Sequence, residues 1–282
     1  MTDSIRRIDA HQHFWQIARG DYDWLTPDLE PLYRDFEPKH LAPYLKKLGI
    51  SGTILVQAAR TEAETEFMLS LAETSAFIMG VVGWADFDSP LAPERILEMS
   101  KRPSLVGLRP MIQDIEDDRW MLTPAVSNAL AAMTQAGLTF DALTLPRHLG
   151  HLLTLLRRHP DLRVIVDHGS KPDISRGDFE TWADDLGAIA RNTSAYCKLS
   201  GLVTEAAKNW AVEDLKPYVD HLLDVFGSNR LIWGSDWPVC TLAATYEDWY
   251  EASEHLLSDL TAAEKSRIWC ENAEEAYGLG TA

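Results

Sequence analysis

Eight short apolar segments alternate with segments of helical pattern along almost all of the 282-residue chain. Each apolar segment is rich in Val, Ile, Leu or Trp and shows no strict alternation of polar and apolar residues, which is typical of strands covered on both faces. The segments predicted as strands are 7–14, 52–58, 78–84, 105–111, 138–143, 163–168, 195–200 and 231–236. This alternation limits the chain to folds built on a mainly parallel sheet.

Helix-start signals lie between the predicted strands. Thr61 and Thr261 are each followed three residues later by Glu, and Thr123 precedes Pro124, which is common at helix N-termini. Eight strands with helices between them predict an α/β fold, a (β/α)8 (TIM) barrel forming one domain over residues 1–282 and closed by C-terminal helices. A doubly wound open sheet is the alternative, but no GxGxxG motif follows the first strand.

The charge balance excludes several classes of partner. With 26 Lys+Arg against 43 Asp+Glu, the formal net charge is −17, and such a surface repels nucleic acid and anionic membranes. The N-terminal segment is charged where a signal peptide would be apolar. The cysteines Cys197, Cys240 and Cys270 are far apart and odd in number, which excludes a disulfide scaffold. We expect a cytoplasmic protein that acts on a small molecule and does not bind nucleic acid or membranes.

Polar side chains are concentrated at the C-terminal ends of the predicted strands. The carboxyl ends of the strands of a (β/α)8 barrel form one rim, and active sites lie there. His11 and His13 are two residues apart on one strand, so both rings point to the same side. Other polar residues at strand ends are Gln57, Arg109, Asp141, His168 and Asp236. The sequence therefore predicts one polar site at the barrel mouth.

The histidines and Asp236 are the candidates for chemistry. His11 and His13 can chelate a divalent cation or bind a substrate oxygen, or they can be buried structural histidines. Asp236 ends an apolar run and is a candidate general base or metal ligand; its structural alternative is a helix cap or an ion-pair partner. His168 can be a metal ligand, an electrophile or a buried histidine bonded to the backbone.

The remaining candidates are substrate contacts. Arg109 and Lys171 are cations that can hold an anionic or hydroxyl-rich ligand, or they can be parts of structural ion pairs. Gln57 and Asp141 can bind sugar hydroxyls, and Asp141 can instead pair with Arg147. The long connection 14–37 contains Trp24, which is either part of an aromatic lid or packed on the barrel rim.

Several motifs, spread from the first predicted strand to the eighth, resemble those of one enzyme family. It is the lactonase-type family of the amidohydrolase superfamily, which includes L-fucono-1,5-lactonase, L-rhamnono-lactonase and 2-pyrone-4,6-dicarboxylate lactonase. The resemblance implies a distorted (β/α)8 barrel that hydrolyses a lactone to its hydroxy acid. It places His11, His13, His168 and Asp236 in the active site. The matching segments are 8–15, 56–58, 107–109, 146–149, 166–172, 198–205 and 233–239.

These roles predict a mechanism and a cofactor. Asp236 accepts a proton from the water that attacks the ring carbonyl of an aldonolactone or a sugar-diacid lactone, and imidazoles or Arg109 stabilise the oxyanion. Arg109 on the fourth strand repels a second cation, so we expect at most one divalent metal ion. Zn²⁺ suits the ligands, although lactone carbonyls are reactive enough for the metal to be dispensable. The ligands expected for that ion are His11, His13, His168 and Asp236.

Two other functions stay open. One is a metal-dependent decarboxylase of the same superfamily, which would release carbon dioxide rather than acid alone. The other is a non-catalytic barrel that binds sugar acids, although such a barrel has no need of a general base. The sequence also allows a homo-oligomer and does not identify the sugar.

Overall fold

The computed structural model describes residues 5–280, and its centre is one sheet of eight strands. Neighbouring strands are parallel and follow the chain order, which is the arrangement of a (β/α)8 barrel. Each strand lies within a segment that the sequence predicts as strand, so the predicted fold class is confirmed. The strands are β1 Ile8–Gln12, β2 Gly52–Val56, β3 Ile78–Gly83, β4 Leu105–Leu108, β5 Thr139–Ala142, β6 Val164–Val166, β7 Tyr196–Leu199 and β8 Leu231–Trp233.

Helices connect the strands and continue after β8. The side chains of Thr61, Thr123 and Thr261 each accept a hydrogen bond from the backbone N–H three residues later, at 3.0, 3.4 and 3.3 Å. This confirms the three predicted helix starts, because such caps satisfy otherwise unpaired N–H groups. The helices are α1 Pro38–Leu48, α2 Glu62–Thr74, α3 Ala92–Met99, α4 Pro124–Ala136, α5 Leu149–Arg158, α6 Glu180–Asn192, α7 Leu202–Glu205, α8 Val212–Phe226, α9 Tyr246–Leu256, α10 Ala262–Ser266 and α11 Asn272–Tyr277.

The first and last strands are joined at their C-terminal ends. The backbone N–H of Asp236 donates to the carbonyl of His11 at 2.8 Å, and the N–H of His13 donates to the carbonyl of Trp237 at 2.7 Å. Gly234 makes this approach possible, because a Cβ atom at that position would lie 2.7 Å from the Cβ of His11. The segment with the two histidines and the segment with Asp236 are therefore held side by side.

The C-terminal helix closes the opposite end of the barrel. Ile8, Ile54, Ile165 and Ile232 form a buried cluster with residues of α11. Thr139, the first residue of β5, donates to the carbonyl of Ala276 on α11 at 2.6 Å. Apolar packing therefore closes the end of the barrel that α11 covers, and the barrel opens at the rim where the strands end.

No helix within residues 5–280 is long and apolar enough to span a membrane. The charged N-terminal segment, which we expect not to be a signal peptide, includes residues 1–4, and these lie outside the described residues.

Candidate active site

A cavity of about 260 Å³ lies at the C-terminal rim of the barrel. Its lining combines polar and charged side chains with apolar ones such as Leu29, Leu143 and Leu242. Six residues that the sequence predicts for the site line this cavity: His13, Trp24, Arg109, His168, Lys171 and Asp236. His11, Gln57 and Asp141 lie deeper and are fully buried.

Asp236 is the point on which the three histidines converge. Its Oδ1 atom lies 3.2 Å from Nε2 of His13, 3.7 Å from Nε2 of His11 and 3.9 Å from Nε2 of His168. Burial alone would raise the pKa of Asp236, but its neighbours, first His168 and then His13, lower the pKa below its ordinary value. Asp236 is therefore a carboxylate at neutral pH, and it faces the cavity.

His13 has a defined tautomer. Its Nδ1 atom lies 2.7 Å from the carbonyl oxygen of Val56, and a carbonyl oxygen can only accept a hydrogen bond. The neutral ring therefore has its proton on Nδ1 and a lone pair on Nε2. That lone pair faces the Asp236 carboxylate at 3.2 Å. Two acceptors at this distance are compatible only with a proton or a cation between them.

His168 lies in an unusual backbone segment. Four consecutive residues, 168–171, have φ values between 52° and 61°, and such left-handed runs are unfavourable for residues with a Cβ atom. Nδ1 of His168 lies 2.8 Å from Oγ of Ser200. Gly201 also has a positive φ, and a Cβ atom there would lie 2.6 Å from Nδ1 of His168. Burial lowers the pKa of His168 to about 4, so the ring is neutral at pH 7.

Arg109 lines the cavity, and hydrogen bonds to buried acceptors fix its guanidinium group. Its Nη1 donates to Oδ2 of Asp167 at 3.2 Å, and its Nη2 donates to the backbone carbonyl and to Oε1 of Gln57. Gln57 Nε2 in turn donates to the Arg109 carbonyl at 2.9 Å. This corrects the expectation that Gln57 contacts a ligand directly, because its side chain is bound to Arg109 and does not reach the cavity.

Asp141 also lies elsewhere than expected. Its Oδ2 atom accepts hydrogen bonds from Nζ of Lys198 at 2.6 Å and from the Tyr277 hydroxyl at 2.7 Å, so it does not pair with Arg147. Asp141 belongs to β5 itself rather than to the loop that follows it, and is therefore one layer below the cavity. The expected contact with sugar hydroxyls is corrected accordingly.

Lys198 and Asp167 are residues whose roles in the site the sequence does not predict. Lys198 is fully buried, and its Nζ lies 2.9 Å from Oδ1 of Asp167 and 3.0 Å from Nδ1 of His11. Burial would raise the pKa of Asp167, but Lys198, His11 and Arg109 hold it well below its ordinary value. Burial and Lys198 hold the pKa of His11 well below its ordinary value, so that ring is neutral. A lysine inside an otherwise apolar predicted strand was the available signal.

Trp24 and Lys171 form parts of the cavity rim. Nε1 of Trp24 donates to the carbonyl of Ala58 at 2.7 Å, which attaches the 14–37 connection to the loop after β2. Nζ of Lys171 lies 3.9 Å from Oε1 of Glu205. Trp24 is thus fixed on the rim, where it also forms part of the cavity wall.

The polar base has a set of atoms that fits a divalent cation. His11, His13 and Asp236 each offer one ligand atom, and these atoms lie within 4.8 Å of one another. Tetrahedral ligands at zinc bond lengths of about 2.0–2.1 Å are separated by about 3.3 Å, close to the 3.2 and 3.7 Å from Asp236 to the two histidines. The Nε2 lone pair of His13 is also oriented for ligation. His168 lies at the edge of this set.

An eight-stranded parallel barrel with histidines and a carboxylate around a cavity at its C-terminal rim defines an enzyme. The chain belongs to the amidohydrolase family, whose model, described as Amidohydrolase, matches residues 8–279.

Similar proteins include two curated relatives and a solved structure. L-fucono-1,5-lactonase of Burkholderia ambifaria is 44% identical over 243 residues, which are 86% of this chain and 84% of the relative. L-fucono-1,5-lactonase of Burkholderia multivorans is 36% identical over 285 residues, 97% of this chain and 96% of the relative. The crystal structure of an amidohydrolase from Burkholderia multivorans with bound zinc has a TM-score of 0.92 and 35% identity, with 97% of this chain and 99% of that chain covered.

Proposed function

We propose that the protein is a lactonase that opens a sugar-derived lactone to its hydroxy acid. The observation that carries this proposal is Asp236, a carboxylate that faces the cavity with three histidines around it. The two relatives named L-fucono-1,5-lactonase, which align with most of the chain, support it.

The chemistry follows from the positions of these groups. Asp236 accepts a proton from a water molecule, whose oxygen forms a bond to the lactone carbonyl carbon. The carbonyl oxygen becomes an oxyanion, which Arg109 and the imidazoles at the cavity base stabilise. The oxyanion then re-forms the carbonyl group while the bond to the ring oxygen breaks. The proton on Asp236 passes to that ring oxygen, which leaves as the hydroxyl group of the product.

A single divalent cation is compatible with this site. His11, His13 and Asp236 would hold it, with His168 beside them, and imidazole and carboxylate ligands suit Zn²⁺. When bound, it would supply Lewis-acid polarisation of the lactone carbonyl. Arg109 Nη1 lies 3.2 Å from Nε2 of His11, where its permanent charge opposes a second cation.

The cavity wall favours a neutral substrate. Without a bound cation, its charged residues are Arg109 and Lys171 against Asp114 and Asp236, so their formal charges cancel. Arg109 is also paired with Asp167. A sugar-diacid lactone brings a carboxylate for which this wall offers no spare cation among the described residues. The apolar side chains in the lining, such as Leu29, Leu143 and Leu242, suit an aldonolactone with a methyl group, such as a 6-deoxyhexonolactone, a class to which L-fuconolactone belongs.

A pH-indicator assay tests the proposed function. We expect acid release from L-fucono-1,5-lactone above the spontaneous rate, slower release from hexonolactones that carry a 6-hydroxyl group, and background rates with sugar-diacid lactones. Asp236→Asn is the matched control, because it removes the base and leaves the cavity shape. Background rates with every lactone would refute the proposal. Release of carbon dioxide from an aromatic acid would indicate the decarboxylase, and binding of a sugar acid without turnover would indicate a binding barrel.

A further inference from the structure

Glu64 is a fully buried acidic residue next to the candidate active site, and the proposed hydrolysis does not use it. Its carboxyl group accepts hydrogen bonds from two consecutive backbone N–H groups in the loop after β2: Oε1 from Ala58 at 2.9 Å, and Oε2 from Ala58 at 3.1 Å and from Ala59 at 2.7 Å. Glu64 is itself held in the first turn of α2, where its N–H donates to the hydroxyl of Thr61 at 3.0 Å. The start of α2 therefore fixes the loop that follows β2.

The peptide group between Gln57 and Ala58 connects Glu64 to Arg109. In a trans peptide the N–H and the C=O point in opposite directions. The N–H of Ala58 donates to Glu64, and on the other side the carbonyl of Gln57 accepts a hydrogen bond from Nη2 of Arg109. Because the peptide is planar, a rotation that turned the N–H away from Glu64 would also turn the carbonyl away from Arg109.

The next peptide group, between Ala58 and Ala59, connects Glu64 to Trp24 in the same way. The N–H of Ala59 donates to Glu64, and the carbonyl of Ala58 accepts a hydrogen bond from Nε1 of Trp24 at 2.7 Å. An indole has one N–H donor and no acceptor, so this carbonyl is the hydrogen-bond partner of the Trp24 ring. Both residues that the two carbonyls hold, Arg109 and Trp24, line the cavity.

We propose that Glu64 is a positioning residue that sets the directions of two backbone carbonyls and, through them, the positions of Arg109 and Trp24 in the cavity. An unpaired buried N–H is costly, so without the carboxyl group both peptides would rotate toward other acceptors. Arg109 would then lose one acceptor of its guanidinium group, and Trp24 would lose its hydrogen-bond partner. Glu64 thus acts on the group that stabilises the oxyanion and on the wall around the substrate, and this kinetic part of its role rests on the proposed function.

The indole N–H of Trp24 reports the direction of the second carbonyl by NMR and needs no substrate. In protein labelled with ¹⁵N at tryptophan, its signal is the one that is lost in Trp24→Phe. We expect this N–H to exchange slowly with solvent in the wild type and roughly tenfold faster in Glu64→Gln. Glutamine has the same shape as glutamate, but in either orientation its NH₂ group faces one of the two loop N–H groups. An unchanged exchange rate in Glu64→Gln would overturn the proposal.

Thr65→Val is the matched control, because Thr65 is the next residue of α2 and is also fully buried. Its hydroxyl accepts from the N–H of Trp84 at 2.9 Å and donates to the Trp84 carbonyl at 3.2 Å, so it holds the loop after β3 and not the loop after β2. We expect Thr65→Val to be less stable than the wild type and to leave the exchange of the Trp24 indole unchanged. The same acceleration in both variants would refute a specific role of Glu64.

A measurement on the wild-type protein does not depend on how the variants fold. The backbone N–H groups of Ala58 and Ala59 should exchange slowly with solvent, because both donate to the buried Glu64 carboxyl group. Fast exchange of either N–H would also overturn the proposal.

Enzyme kinetics test the effect on the cavity. With a lactone that the wild type hydrolyses, we expect Glu64→Gln to lower kcat through Arg109 and to raise KM through Trp24, so that kcat/KM falls roughly 10- to 100-fold. Thr65→Val should keep both constants. Wild-type kcat and KM in Glu64→Gln would refute the role of Glu64 in the cavity. If the wild type hydrolyses no lactone, the proposed function fails, and the NMR signals still decide whether Glu64 positions Trp24.

Discussion

Asp9 on the first strand accepts two hydrogen bonds from Ser235, just after the last strand: Oδ1 from its backbone N–H at 2.8 Å and Oδ2 from its hydroxyl at 2.6 Å. The Tyr246 hydroxyl also donates to Oδ2, at 2.9 Å. One buried carboxylate thus joins β1 to the residue before Asp236. The position of the proposed base therefore depends on a side chain that does not line the cavity.

Asp9→Asn should weaken the hydrogen-bonded connection between β1 and Ser235. An amide has one acceptor oxygen and a donor NH₂ group, so at least one buried donor loses its partner, at about 1–3 kcal/mol per group. We expect the free energy of unfolding in urea to fall by this order and kcat to fall as Asp236 is displaced. Tyr246→Phe, which removes one donor and leaves no unpaired hydrogen, should cost less. Equal free energies of unfolding for Asp9→Asn and the wild type would contradict the proposed linking role of Asp9.

Asp236→Asn tests the proposed base. Asparagine fills the same space but cannot accept a proton from water, so we expect kcat to fall by roughly 10²–10⁴. Initial rates of lactone opening, corrected for spontaneous hydrolysis, measure this. Circular dichroism should be unchanged, which separates lost chemistry from lost fold. Turnover close to that of the wild type would exclude Asp236 from this role.

The raised pKa of the buried Glu64 carboxyl group predicts that stability depends on pH. Its carboxyl group accepts hydrogen bonds from the N–H groups of Ala58 and Ala59, but burial raises its pKa to about 8 from 4.5. The folded state then holds a proton that the unfolded state has lost, so the free energy of unfolding falls as pH rises from about 4.5 to 8, by a few kcal/mol. Glu64→Gln should flatten this fall in urea titrations at several pH values. A parallel pH profile would contradict the raised pKa.

The backbone conformation of Lys171 predicts that a glycine variant is more stable than an alanine variant at this position, the reverse of the order in a helix. Its φ is 52°, a conformation that costs about 1 kcal/mol for a residue with a Cβ atom. We expect Lys171→Gly to be more stable than Lys171→Ala by about that amount in thermal or urea unfolding. The control is Lys46, exposed in α1, where alanine should be the more stable by about 1 kcal/mol. The same order at both positions would contradict a left-handed backbone at residue 171.

The sequence predicts the rim of this barrel better than its interior. His13, Arg109, His168 and Asp236 follow the ends of their strands, and the ends of parallel strands meet at one rim whatever the details of packing. The depth of a residue inside the barrel depends on how far neighbouring strands are shifted along each other. Asp141 illustrates this, since it lies within β5 and therefore below the cavity.

Buried ion pairs are also difficult to predict from sequence. Lys198 lies on β7, Asp141 on β5 and Asp167 directly after β6, and their charges are tolerable inside the barrel only because they meet there. The lysine inside an otherwise apolar predicted strand is a local signal of a buried cation, but no local pattern reveals which carboxylates it meets. Gln57 follows the end of β2, yet its side chain is hydrogen-bonded to Arg109, a contact that only three-dimensional packing decides.

The cancelled charges of the cavity wall have a consequence for turnover. A lactone is neutral, but its product is a carboxylate at pH 7, so hydrolysis adds one negative charge beside Asp236 in a protein of formal net charge −17. In the cation-free cavity, the charges of Arg109 and Lys171 no longer balance those of Asp114, Asp236 and the product, and the excess negative charge repels the product. The hydroxy acid should leave readily and inhibit weakly, with inhibition stronger at high ionic strength, where the repulsion is screened. The reaction thus converts a neutral lactone that the cation-free cavity accommodates into an anionic product that it repels.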